Sequence, residues 1–165
     1  MYKSNTKKIV ILAFLVAISV ILTRFCSINT DILRIGFGWL PAAIAGIMFG
    51  PIWAGAAYAV ADVLGMMIFP SGSFFPGFTL TAFITGCVYG YMYKKQPSVK
   101  NIIIPVLIVC MVLNLMLDTL WLKILLGQGY FVLLPPRIIK CAVMVPIQFF
   151  LIQLCWKKII PKVKI

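Results

Sequence analysis

Residues 34–65, RIGFGWLPAAIAGIMFGPIWAGAAYAVADVLG, limit the possible folds more than any other stretch, because a run this apolar must satisfy its backbone internally. Proline cannot continue a helix from its middle but fits the first turn of a new one, so Gly50-Pro51 ends one helix and opens the next. Both legs are rich in glycine and alanine. Small residues such as Ala42, Ala43, Gly46, Gly55, Ala57 and Ala61 let helices approach closely where lipid removes the hydrophobic drive to associate. The stretch reads as a membrane hairpin with its legs packed back to back. A lone carboxylate, Asp62, lies deep in the second leg.

The rest of the chain agrees with a membrane setting. At 63% hydrophobic and 11% charged, 165 residues carry more apolar surface than a soluble domain of this size can hide. Residues 1–165 are read as a single integral membrane domain, with lipid as an obligatory neighbour. The formal charge of +12 does not point to nucleic acid, because the cations form short clusters between apolar runs, without a basic stripe or an aromatic platform. The five cysteines are widely spaced and read as apolar fillers, and histidine is absent, which removes the commonest metal ligand and general base. No metal site or cofactor is expected. Without histidine no serine or cysteine triad can form, and no GxxxxGK[ST] phosphate loop occurs, so neither an enzyme nor an ATPase is expected.

Hydropathy breaks predict six helices, at about residues 8–24, 35–49, 51–69, 76–93, 102–126 and 135–156. The first is read as a retained helix, because no small-residue cleavage site follows its apolar run. Helix 2 is short for a span, and Gly36 and Gly38 suggest tilting or partial unwinding there. An even number of spans puts both termini on one side. Lys3, Lys7, Lys8, Lys94, Lys95, Lys100, Lys157, Lys158, Lys162 and Lys164 fall on that side, which makes it cytoplasmic. Arg24, Arg34, Lys123, Arg137 and Lys140 then gather toward the outer face, against the usual bias, and need another reason to be there.

The polar groups inside apolar segments are the candidate site. Asn114, Asp118, Trp121 and Leu125 recur at spacings of four, three and four, so they share one helical face and describe a wall for a flat, hydrogen-bonding ring; a structural interhelix contact with Trp121 as an interfacial anchor is the alternative. Arg137 and Lys140 follow Pro135-Pro136 at the expected start of helix 6. Two cations at a positive helix end call for an anion such as a ligand carboxylate, or else reach out to lipid phosphates. Arg34 either joins them or pairs with Asp31. Phe74 and Phe75, between Pro70 and Pro76, read either as a lid or as a loop dipping into the interface. Asp62 either meets ligand or pairs with Arg24 or Arg34. Ala13 and Ala17 give helix 1 a small-xxx-small face that suits close packing, inside the bundle or against a partner.

These blocks resemble a known family. LPAAIAGIMFGPIWAGAAYAVADVLG followed by FPSGSFFPGFTLTAFITGCVYG is similar to the substrate-binding S components of energy-coupling factor (ECF) vitamin transporters, over residues 34–90. NLMLDTLW at 114–121 and LLPPRIIKCAVMVPIQ at 133–148 resemble its folate-specific branch. The resemblance implies the S-component fold, residence in the bacterial plasma membrane, and capture of folate from outside. It also implies docking, through an AxxxA face matched by Ala13 and Ala17, on a transmembrane coupling subunit served by two cytoplasmic ATPases, with the bound chain toppling to deliver its load. On that resemblance Asp118 or Asp62 would take the donor edge of the pterin, Trp121 would stack on it and Asn114 would add a further bond. Arg137, Lys140 and Arg34 would meet the glutamate carboxylates. An S component for riboflavin or pantothenate, and more distantly a small channel or membrane scaffold, stay open.

Overall fold

The computed structural model describes residues 2–25, 27–29, 34–70, 74–93, 99–127 and 129–158. Asp31, Cys26, residues 71–73, Lys94, Lys95, Lys162 and Lys164 lie outside the described residues. Six helical rods account for nearly all of what is described. They are α1 (Tyr2–Arg24), α2 (Trp39–Phe49), α3 (Pro51–Ile68), α4 (Pro76–Met92), a continuous rod made of α5 (Val99–Leu107), a π-helix (Ile108–Leu117) and α6 (Asp118–Leu126), and finally α7 (Tyr130–Lys158). Among the described residues, four stretches are long and apolar enough to cross a bilayer: Thr6–Arg24, Pro51–Ile68, Asn101–Leu126 and Tyr130–Cys155. At ~1.5 Å per residue, the short helix α2 reaches only about half way through a ~30 Å core.

The chain leading into α2 holds an element that sequence periodicity did not suggest. Residues 27–36, expected as a polar connection running into helix 2, contain an antiparallel hairpin of β1 (Ser27–Asn29) and β2 (Arg34–Gly36), with Ser27 opposite Gly36 and Asn29 opposite Arg34. Helix α2 consequently begins at Trp39 rather than near residue 35. The chain enters it pressed against the end of α1. The Ser19 hydroxyl donates to the Gly38 carbonyl at 2.9 Å, and a Cβ at Gly38 would fall 2.0 Å from the Thr23 methyl carbon.

Gly50 takes φ +88°, a value that favours glycine, and turns the chain from α2 into α3, where Pro51 stands at the first turn. The small residues of both legs serve α4 more than each other. A Cβ on Gly46 of α2 would lie 2.7 Å from the Gly90 nitrogen, one on Gly86 would lie 2.5 Å from the Ala54 carbonyl oxygen, and one on Gly90 would lie 2.4 Å from the Pro51 Cα. The back-to-back hairpin is therefore a three-helix unit, with α4 seated backbone to backbone against α2 and α3. The long rod and α7 close the other side of α4 around a core that includes Trp39, Tyr89, Val106, Val109, Cys110, Leu113 and Ile152. Deep in that core the Tyr89 hydroxyl donates to the Gln148 Oε1 at 3.0 Å.

Two helices differ from the expected pattern in ways that matter for the site. Helix α7 begins at Tyr130, so Pro135 and Pro136 lie inside it rather than at its first turn. The long rod changes from α to π geometry soon after Pro105, whose missing N–H already breaks the regular ladder.

Candidate functional site

The site is assembled around one hydroxyl. Thr81, buried on α4, donates to the carbonyl of Gly77 at 3.1 Å and accepts the indole N–H of Trp121 at 3.1 Å. Gly77 makes room for that indole, since a Cβ there would sit 2.5 Å from the Trp121 Cδ2. Phe75 covers the same ring, with centroids 5.5 Å apart and planes tilted by 44°, and itself meets Phe78 edge to face at 6.2 Å. An aromatic wall thus forms from the start of α4 and from α6. Phe74, its neighbour in the loop, points away and is exposed.

The Asp118 carboxyl, one turn before Trp121, also meets Thr81. The Thr81 hydroxyl, the cations Arg137 and Lys140 and the carboxylate of Asp62 all bear on it. Arg137 is 5% exposed and reaches across from α7, where its Nη1 donates to the Asn114 carbonyl at 2.9 Å and to the Thr119 hydroxyl at 3.2 Å. The Thr119 hydroxyl in turn donates a hydrogen bond to the Leu115 carbonyl. Two atoms of this opposed pair have no hydrogen-bond partner among the described residues: Asp118 Oδ1 and Arg137 Nε. Burying charged groups with unmet hydrogen-bonding capacity costs free energy, which marks this spot for something the bare chain does not supply.

The residues singled out from sequence do not all converge. Asp118, Trp121, Arg137, Lys140 and Phe75 do. Asn114 is on the same rod, but in the π stretch its amide donates to the Val109 carbonyl five residues back at 3.1 Å, and it offers Arg137 its backbone carbonyl. The cations stand well inside α7, so their setting owes nothing to a helix end and is made by Asp118, Thr119 and Asn114. Asp62 accepts a hydrogen bond from Thr79 at 2.9 Å. Arg24 lays its guanidinium over Gly65 of α3, within 2.8 Å of where a Cβ would be. Arg34 stands on β2 opposite Asn29. Ala13 and Ala17 stand on the exposed face of α1 beside Val10, Phe14 and Ile21.

Sequence reasoning missed Thr81, Thr119, Thr79 and Gly77, the groups that hold the ring and the charges in place. The available signal was Thr-Leu-Thr just past the opening of an apolar helix, where two hydroxyls need partners. Chemically, the site offers a carboxylate acceptor, a guanidinium donor and an indole face, which together suit a flat heterocycle with adjacent N–H groups and a carboxylate elsewhere on the molecule.

Comparison with known proteins points the same way. Residues 7–154 match the family model described as ECF transporter, substrate-specific component. The chain is 47% identical over 149 residues to a folate transporter FolT of Clostridium novyi (strain NT), covering 90% of this chain and 87% of that protein. It is 30% identical over 153 residues to a folate transporter FolT of Leuconostoc mesenteroides subsp. mesenteroides, covering 88% and 82%. Among solved structures, a crystal structure of FolT bound with folic acid superposes with a TM-score of 0.89 at 40% identity, covering 96% of each chain.

Proposed function

The chain belongs to the substrate-specific components of ECF transporters, and from that premise we propose that it captures folate at the outer face of the membrane in the site built on Asp118, Trp121 and Arg137. It is a multi-pass membrane protein and a transport subunit, not an enzyme. The observation that carries the reading of the site is the opposed pair of Asp118 and Arg137, buried with open valences beside the Trp121 indole. The pterin presents an amino group and a ring N–H side by side, which one carboxylate accepts. Asp118 takes that edge, Trp121 and Phe75 stack on the ring, and Arg137 and Lys140, joined by Arg34 of the hairpin, meet the glutamate tail. Asn114 acts through its carbonyl by orienting Arg137, while Phe74 remains with solvent or lipid headgroups at the rim.

Delivery belongs to partners. A transmembrane coupling subunit engages the face of α1 that carries Ala13 and Ala17, and two cytoplasmic ATPases on that subunit reset the complex after the loaded chain topples inward. Exposure of both alanines and the absence of a phosphate loop from the sequence support this division of labour.

The direct test is isothermal titration of the purified chain, alone in detergent, with folic acid, and with riboflavin and pantothenate as controls. Tight one-to-one binding of folic acid without ATP or partner is the expected result. A folded sample that ignores folic acid but binds another vitamin would sink the assignment of ligand and leave the family.

A further inference from the structure

Trp39 opens α2 as a buried indole whose N–H has no partner among the described residues, although the side chain is only 5% exposed. That is unusual for tryptophan, which when buried normally finds an acceptor for this proton. Its surroundings tie it to the site. It packs in one cluster with Leu113, the neighbour of Asn114, and with Cys141, the neighbour of Lys140, and Leu117, the neighbour of Asp118, lies against the same cluster. Residues flanking Asn114, Asp118 and Lys140 thus belong to the cluster that holds Trp39, and the Trp39 N–H, Asp118 Oδ1 and Arg137 Nε are all buried without a partner among the described residues. The other tryptophan of this region, Trp121, spends its N–H on Thr81 and offers only its face.

We propose that Trp39 is a further ligand-binding residue, whose indole N–H donates a hydrogen bond to an acceptor nitrogen or carbonyl oxygen on the ligand's heterocyclic ring. The two ring contacts then differ in kind. Asp118 reads the donor edge of the ring, Trp39 reads an acceptor on it, and together they select a heterocycle that presents both. This rests on the reading of the site as a folate pocket, and the experiment separates the two.

W39F keeps the packing and removes the donor. Wild type and W39F are titrated with folic acid and, by competition, with pterin-6-carboxylic acid, which lacks the glutamate tail. About a tenfold loss for both ligands is expected in W39F, equivalent to about 1.4 kcal/mol, with the melting temperature of the ligand-free protein little changed. Unchanged affinity in W39F, with tight binding in wild type, overturns the role of Trp39 and leaves the folate reading standing; a loss confined to folic acid overturns the assignment to the ring. No binding by wild type overturns the folate reading and this inference with it. Should W39F fail to fold, the wild-type chain answers the question directly. The chain holds four tryptophans, so with indole ¹⁵N labelling the Trp39 resonance is identified by elimination using W53F, W121F and W156F. A downfield shift of that N–H on adding folic acid is the expected result, and an unmoved resonance overturns the proposal.

Discussion

Thr81 carries more of the site than any charged residue, because its single hydroxyl holds the Trp121 indole, closes on the Gly77 carbonyl and borders the Asp118 carboxyl. Replacing it with valine keeps the shape and strands a buried N–H, a loss of about 1–3 kcal/mol. T81V is expected to lower the melting temperature in detergent and weaken folic acid severalfold, while T81S restores both; if valine and serine behave alike, the hydroxyl has no positioning role. Arg137 tests the division between ring and tail. R137A is expected to weaken folic acid much more than a tail-less pterin, and equal losses measured by titration would move Arg137 to the ring. Asp118, Trp121 and Arg137 were legible in the sequence because carboxylates, indoles and guanidiniums are rare inside apolar helices and stand out as expensive. Thr81 was not, since a threonine in such a helix commonly bonds its own preceding turn, as Thr85 does to the Thr81 carbonyl at 2.8 Å. Only the tertiary fold brings Trp121 to it from 40 residues away.

At the scale of elements, contact between α4 and its two neighbours depends on missing side chains. A methyl at Gly90 would meet the Pro51 backbone at 2.4 Å, so neither partner can yield by turning a rotamer. G90A is expected to cost about 1–3 kcal/mol, seen as a lower melting temperature. G129A, where a Cβ would meet only the Val132 side chain at 3.6 Å, should melt like the parent protein; equal melting of all three would mean that α4 does not pack this way. The six rods could be read from hydropathy and from Gly50-Pro51, because long apolar runs have few alternatives in lipid. The hairpin of β1 and β2 could not. Strands of three residues are too short to display an alternating pattern, and what sets them is their seat on the end of α1, where Ser27 donates to the Thr23 carbonyl at 2.6 Å. The start of α7 was hidden for the opposite reason: Pro135-Pro136 is a strong signal for a first turn, yet the chain had already turned helical at Tyr130. The π-helix leaves no signature in the pattern of apolar residues, and it is what turns the Asn114 amide back onto its own backbone.

At the scale of the whole molecule, the proposed capture site, among α4, α6 and α7, and the proposed docking face, on the exposed side of α1, are separate surfaces. They should therefore fail independently. A13L/A17L is expected to bind folic acid like the parent chain while abolishing folate uptake in cells that supply the coupling subunit and ATPases; loss of binding in the purified variant would show that this face supports the pocket instead. The prolines inside α7 carry a further consequence. In its first turn the carbonyls of residues 130–133 look to the amides of residues 134–137, and Pro135 and Pro136 have none to give. Half of the ladder that ties down this turn is thus missing where α7 passes above Arg137. In deuterated solvent the backbone amides there should exchange far sooner than those near Gln148, because opening one poorly tethered turn requires only a fraction of the free energy of unfolding. Slowed exchange in that turn on adding folic acid, with the deeper amides unaltered, would identify the segment that the vitamin must displace on its way in.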